Sequence, residues 1–178
     1  GHSFGNIFLS AVEAMTTDFQ SAVRVAGDIL RIRGTVLPAT LDDSRLVLKQ
    51  GGKEIVGQHL IVTTKILNRQ PDLSLTPNAK LNPDAQKAIQ QADLVIIAPG
   101  LLYGSLAPAL LVSGMAQVLK DTEAPIVYVA NLANKPLHTQ GYAVHDYAAE
   151  IERFIAPATL SMVVYNNELP TEEQLQTY

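Results

Sequence analysis

Three short stretches of this chain hold residues able to do chemistry. In "APGLLYGS" (98–105), Gly100 and Gly104 accompany Tyr103 and Ser105. Glycines let a ligand approach the backbone closely. The N–H groups of a helix opened by Ser105, with its dipole behind them, would form an anion site. Tyr103 offers a hydroxyl or a stacking face. The same spacing also suits a glycine-rich connection around a buried tyrosine, and it matches neither the Walker phosphate loop nor GxGxxG. In "NLANKPLHTQGY" (131–142), Asn131, Asn134, Lys135, His138 and Thr139 cluster. Lys135 can meet a phosphate and Asn131 a base or sugar, although such composition more commonly marks a solvated loop. In "GHSFGN" (1–6), His2 can bond a ligand or a carbonyl, and Ser3 and Asn6 are helix-cap types. A cleaved purification tag can leave the same beginning.

Other groups are less suggestive. His59 falls in a strand context and His145 on a helix, neither with a partner by spacing. Asp42 and Asp43 mark a turn. Arg33 can reach a phosphate, but a helix-terminal arginine facing the dipole is the commoner case. No HxxxH or DxD occurs, which argues against metal-dependent hydrolysis.

Helices and strands must position these stretches. Ile7, Phe8, Ala11, Val12 and Met15 recur at helical spacing, and a second helix is expected from a Thr17–Gln20 capping box to Gly34. Residues 35–77 change period. Strands are expected at 35–40, 45–50 and 54–62, with a hairpin turn at "QGGK", and 65–77 reads as an edge strand or irregular segment because of Pro71. A helix over 82–91 follows, with an asparagine cap and proline at its first position. From about 93 to 167 the pattern is βαβαβ: apolar strands at 93–100, 124–132 and 159–167, separated by helical segments. Such strands predict a parallel sheet covered on both faces. The fold class is therefore α/β, with a parallel core, an antiparallel excursion over about 35–77 and an N-terminal helical segment.

Composition narrows the partners. The 178 residues suit one domain, with 47% hydrophobic and 17% charged residues. Thirteen basic against 17 acidic residues give a net charge of −4, and no basic run offers a nucleic-acid or membrane-surface footprint. Cysteine is absent, which excludes disulfides and thiolate metal sites and fits a reducing cytoplasm. No apolar run approaches a membrane span.

Taken together, "GHSFGN", "TTDFQSAVRVAGDILRIRGTVLPAT", "ADLVIIAPGLLYGSLAPALLVSGMAQVL", "YVANL" and "TQGY…HD" resemble the gluconeogenesis factor family. This is the YvcK-like, UDP-sugar-binding branch of the superfamily that contains 2-phospho-L-lactate transferase (CofD-like). The similarity runs in order from Gly1 to about Phe154. It implies a Rossmann-like core and a cytoplasmic nucleotide-sugar-binding regulator linked to cell shape, cell-wall precursor supply and carbon metabolism. No cofactor is firmly implied; the ligand would be a UDP-sugar. The transferase alternative would move a phospholactyl group from a nucleotide-activated donor to a deazaflavin, and only there would Mg²⁺ enter. The resemblance also implies a single domain over 1–178 that lacks a glycine-rich first strand and loop. That would leave a sheet edge or apolar face exposed and favour homo-oligomers. By the same resemblance the ligand-binding residues are His2, Ser3, Asn6, Gly100, Leu101, Tyr103, Ser105, Asn131 and Thr139. The regulator pattern resembles "GPGSLYTS", so this chain departs from it at Ala98, Leu101 and Gly104. It departs again at Ala133, Asn134, Lys135, Leu137 and His138 in the second loop.

Overall fold

The computed structural model describes residues 4–177, so the expectations attached to His2 and Ser3 lie outside the described residues. Helices α1 (Phe4–Ala14) and α2 (Phe19–Leu30) form a hairpin. Its entry differs from the expected capping box. Asp18, not Thr17, caps α2: its backbone is extended and its Oδ1 accepts the Ser21 N–H at 2.8 Å. A carboxylate is the better acceptor where four N–H groups and the helix dipole converge. The Ser21 N–H, helped by the Thr17 and Ser21 hydroxyls, holds the Asp18 carboxyl below its usual range. The exit also differs. Arg31, at φ 52°, turns the chain and donates its N–H to Asp28 and Gly27 carbonyls, three residues before Gly34. Asn6 sits inside α1 and does not cap it.

Strands β1 (Arg45–Gln50) and β2 (Lys53–Val56) form the expected hairpin. Gly51 and Gly52 both have positive φ, as a type I′ turn demands. Helix α3 (Gln58–Thr63) and strand β3 (Asp72–Thr76) follow, giving an antiparallel sheet of order β2-β1-β3. Two expected strands are corrected. Residues 35–40 form none, because Asn82 draws them to the next helix: its N–H reaches the Ala39 carbonyl at 2.9 Å and its Nδ2 the Pro38 carbonyl at 3.0 Å. The stretch 54–62 breaks at Gly57, whose φ of 102° ends β2 and starts α3. His59 is therefore helical. Burial of Ile61 in the core outweighs the strand preference of a β-branched run.

Helix α4 (Pro83–Gln90) starts as expected, with the Asn82 side chain accepting the Asp84 N–H. Strand β4 (Val95–Ile97) leads to a single π-helical turn, Leu102–Leu106. Helices α5 (Ala107–Leu110) and α6 (Met115–Asp121), strand β5 (Ile126–Val129), helix α7 (Val144–Ile155), strand β6 (Met162–Val164) and helix α8 (Glu172–Thr177) complete the order. The parallel sheet runs β4-β5-β6, with Ile97 beside Tyr128 and Tyr128 beside Val163. Ile97, Ile126 and Tyr128 join Leu46, Leu48, Leu73, Val118 and Ile151 in one core shared by both sheets.

The other correction is that, among the described residues, only one face of the parallel sheet is covered. Ile96, Val127 and Met162 are in register on the second face, where Ile96 is 56% and Met162 59% exposed. The strand order explains this. Parallel crossovers are right-handed, so strands laid down in one direction carry their crossover helices on the same side. Apolar residues on both faces cannot report the order of the strands. No helix among the described residues is long and apolar enough to cross a membrane.

Candidate functional site

In α/β proteins ligands bind outside the carboxyl ends of the parallel strands. Here β4 delivers the loop 98–106 and β5 the loop 131–142. In the first, the N–H groups of Gly104, Ser105 and Leu106 all converge on the Leu101 carbonyl, at 3.2, 2.7 and 3.2 Å. The i→i+5 bond from Leu106 makes this a π turn, a local geometry that often marks functional sites. Ser105 is therefore no helix cap, and its N–H is not turned to a ligand. The N–H groups ahead of the turn, at Leu102 and Tyr103, meet no acceptor among the described residues. Gly104 is required by packing: a Cβ there would lie 2.7 Å from Leu101 Cδ2 and 2.8 Å from Val62 Cγ2.

Tyr103 is completely buried. Its hydroxyl lies 2.8 Å from that of Tyr142, and the two reach the Arg69 carbonyl at 2.9 and 2.7 Å. Two protons serve three short contacts, so either both hydroxyls donate to Arg69 or one relays through the other. Burial, then the Tyr142 hydrogen bond, pushes the Tyr103 phenol far above its ordinary value. The Arg69 side chain closes over this cluster, with its guanidinium 5.2 Å from the Tyr142 ring centre and 2.7 Å from Asp146.

The second loop, polar in composition, folds inward. Thr139 Oγ1 accepts the Lys135 N–H at 2.9 Å and lies 2.7 Å from the Tyr147 hydroxyl, with Thr139 only 1% exposed. Asn134 donates to the Tyr142 carbonyl at 3.0 Å. His138 is buried, with Nε2 3.1 Å from the Ile61 carbonyl. A carbonyl can only accept, so the proton is on Nε2 and Nδ1 is left buried without a partner. Burial pulls the His138 pKa down.

Asn131 ties the two loops together. Its Nδ2 donates to the Gly100 carbonyl at 2.8 Å and its Oδ1 accepts the Tyr128 hydroxyl at 3.1 Å. Tyr128 is buried, which pushes its phenol up to about 12. Beyond Asn131 a cleft of about 340 Å³ opens between the ends of β5 and β6, lined by Asn134, Tyr142, Tyr147, Tyr165 and Glu168 among others. A larger groove, about 670 Å³, lies along α2 against residues 34–41 and shares no residue with the strand-end loops.

The structure thus brings Gly100, Leu101, Tyr103, Ser105, Asn131 and Thr139 to one end of the parallel sheet. Tyr103 and Thr139 hold the loops from inside, whereas Ser105 is exposed and Gly100, Leu101 and Asn131 are half-buried. Asn6 is exposed on α1, which packs chiefly on α2. Sequence reasoning missed Arg69, Tyr128, Tyr142, Tyr147, Tyr165 and Glu168. The tyrosines gave the one available signal: four of the chain's six follow β4 or line the β5–β6 end. No group of three or more His, Cys, Asp or Glu side chains among the described residues is placed to hold a metal ion.

The family model described as "2-phospho-L-lactate transferase CofD" matches residues 1–178. The chain belongs to the CofD family. Among curated relatives of this CofD-family chain, a "Putative gluconeogenesis factor" of Nostoc sp. is 39% identical, over 100% of this chain and 39% of the relative. Another of that description, from Thermotoga maritima, is 35% identical over 100% of this chain and 56% of the relative. A "Gluconeogenesis factor" of Listeria monocytogenes is 31% identical over 98% and 54%. The crystal structure of a UPF0052 family member from Bacillus halodurans superposes with a TM-score of 0.86 at 28% identity, over 97% of this chain and 56% of that one. The resemblance to gluconeogenesis factors read from the sequence is borne out. The chain spans between 39% and 56% of the length of these proteins.

Proposed function

We propose that this chain carries the nucleotide-sugar site of a regulatory protein, with a UDP-sugar as ligand, connected with cell shape, cell-wall supply and central carbon metabolism. One observation carries the reading: the loops leaving β4 and β5 are locked together through the Asn131–Gly100 bond, directly beside a cleft at the strand ends. A locked pair of loops is a preorganised site, so little ordering entropy opposes binding. In this reading the half-buried Gly100 and Leu101 and the exposed Ser105 approach the diphosphate. The names of the curated relatives favour the regulator branch. The description of the family model favours the second reading, transfer of a phospholactyl group to a deazaflavin.

Calorimetric titration of the full-length protein with UDP-N-acetylglucosamine, UDP-glucose, GDP and a deazaflavin separates the two. Saturable heat with a UDP-sugar and none with the deazaflavin is the expected result. Deazaflavin binding without UDP-sugar binding would overturn the regulator reading.

A further inference from the structure

The cleft beside Asn131 differs in chemistry from the glycine loop. Its lining residues include no lysine and no arginine, but they do include Asn131, Asn134, the rings of Tyr142, Tyr147 and Tyr165, and the Glu168 carboxylate. A phosphate would meet repulsion from Glu168 with no cation to offset it. A ring bearing neighbouring hydroxyls fits these partners. Two adjacent hydroxyls can each donate to one carboxylate oxygen, as acidic residues do for ribose in dinucleotide sites. An exposed tyrosine supplies a flat apolar face.

Three structural details support this use. Tyr165 directly follows β6 and is 58% exposed, so its ring is not part of the core. Glu168 is positioned through its backbone: its N–H donates to Asn166 Oδ1 at 3.1 Å and its carbonyl accepts from Asn166 Nδ2 at 3.4 Å. Its carboxylate has no hydrogen bond or ion pair among the described residues, so it is available. The floor is fixed, because the Tyr147 hydroxyl donates to Asn134 Oδ1 at 2.9 Å and accepts from the Thr139 hydroxyl at 2.7 Å. The volume, about 340 Å³, is at the small end for ligand pockets and suits one ring system, not a whole nucleotide sugar.

We infer that the cleft at the ends of β5 and β6 takes a neutral, diol-bearing ring of the ligand, held by Glu168 and Tyr165, while the glycine loop across Asn131 takes the charged part. The inference rests on the nucleotide-sugar reading and assigns that ligand's parts to two subsites. Ribose and hexose share the diol chemistry.

The test is calorimetry of the full-length protein and its E168Q and Y165A variants with UDP-glucose, UDP and inorganic pyrophosphate. E168Q keeps the backbone turn at Asn166 and removes the charge. Loss of a charge-assisted pair predicts about a tenfold weaker affinity for UDP-glucose, and Y165A about a three- to tenfold weaker one. Pyrophosphate affinity is expected to stay unchanged. Equal weakening of UDP and UDP-glucose by E168Q assigns the ring as ribose; weakening of UDP-glucose alone assigns it as the hexose. UDP-glucose affinity within twofold of the parent in both variants, or equal weakening of pyrophosphate, overturns the inference and leaves the nucleotide-sugar reading standing. Failure of the parent protein to bind UDP-glucose or UDP overturns both, and is recognised without any variant.

Discussion

The loop at 131–142 and the helical hairpin α1–α2 invert what their compositions promise. The loop is rich in Asn, Lys, His, Thr and Gln, yet it buries His138, Thr139 and Tyr142. The hairpin is apolar along much of its length, yet Phe4 is 84% and Met15 85% exposed. The difference lies in where partners come from. The loop's polar groups are met by other elements: Ile61 on α3, Tyr147 on α7, and Arg69 through the two tyrosines. Residues of the hairpin find polar partners mainly at one end, where Gln20 meets Asp84 and Asn82. A polar loop at a strand end can thus be the more rigid of the two, and rigidity is what a binding site requires.

This comparison can be broken by substitution. The largest effect is expected for Tyr103→Ala, which removes a fully buried ring and leaves the Arg69 and Tyr142 contacts incomplete. A loss of about 3–5 kcal/mol in urea unfolding is expected. A loss under about 1 kcal/mol would mean that the tyrosine cluster does not hold the loops. Gly104→Ala comes next, at about 1–3 kcal/mol, because its methyl must displace Leu101 and Val62. Thermal melts that coincide with the parent would show that the π turn has slack. Tyr147→Phe should cost about 1–2 kcal/mol by leaving the buried Thr139 hydroxyl without its Tyr147 partner. Met15→Ala should stay within about 0.5 kcal/mol, and a larger loss would show that α1 is packed in solution.

His138 gives a pH test of the same comparison. Burial lowers its proton affinity in the folded state, so the unfolded chain takes up the proton first as pH falls. The contribution is fully present above the unfolded pKa of 6.5 and is lost as pH drops below it towards the folded value. The urea midpoint should therefore be lower at about pH 5.5 than at about pH 7.5, and H138Q should reduce that difference. An unchanged pH difference in H138Q would mean that the ring is solvated, like an ordinary loop histidine.

Much of the fold was legible because period and punctuation were consistent. The Gly51–Gly52 turn, the Asn82 cap before Pro83 and the apolar strands at β4, β5 and β6 all read directly. The break at Gly57 did not, since Ile55 and Val56 run into Ile61 and Val62 with no proline to stop the strand. Coverage of the parallel sheet was also illegible, because it depends on strand order and not on composition. At the site, Gly100, Asn131 and Thr139 were placed at the correct end of the sheet. Their roles were not readable, since Asn131 and Thr139 use their polar atoms on Gly100, Tyr128, Lys135 and Tyr147. Tyr165 and Glu168 were missed because nothing near them in sequence distinguishes a cleft wall from a frayed end.

The most direct test of the central claim is amide hydrogen exchange on the full-length protein with and without saturating UDP-N-acetylglucosamine. The account predicts added protection in residues 98–106, 130–134 and 165–168, with α1–α2 little changed. Protection confined to α2 and residues 34–41, with the strand-end loops unaffected, would contradict it.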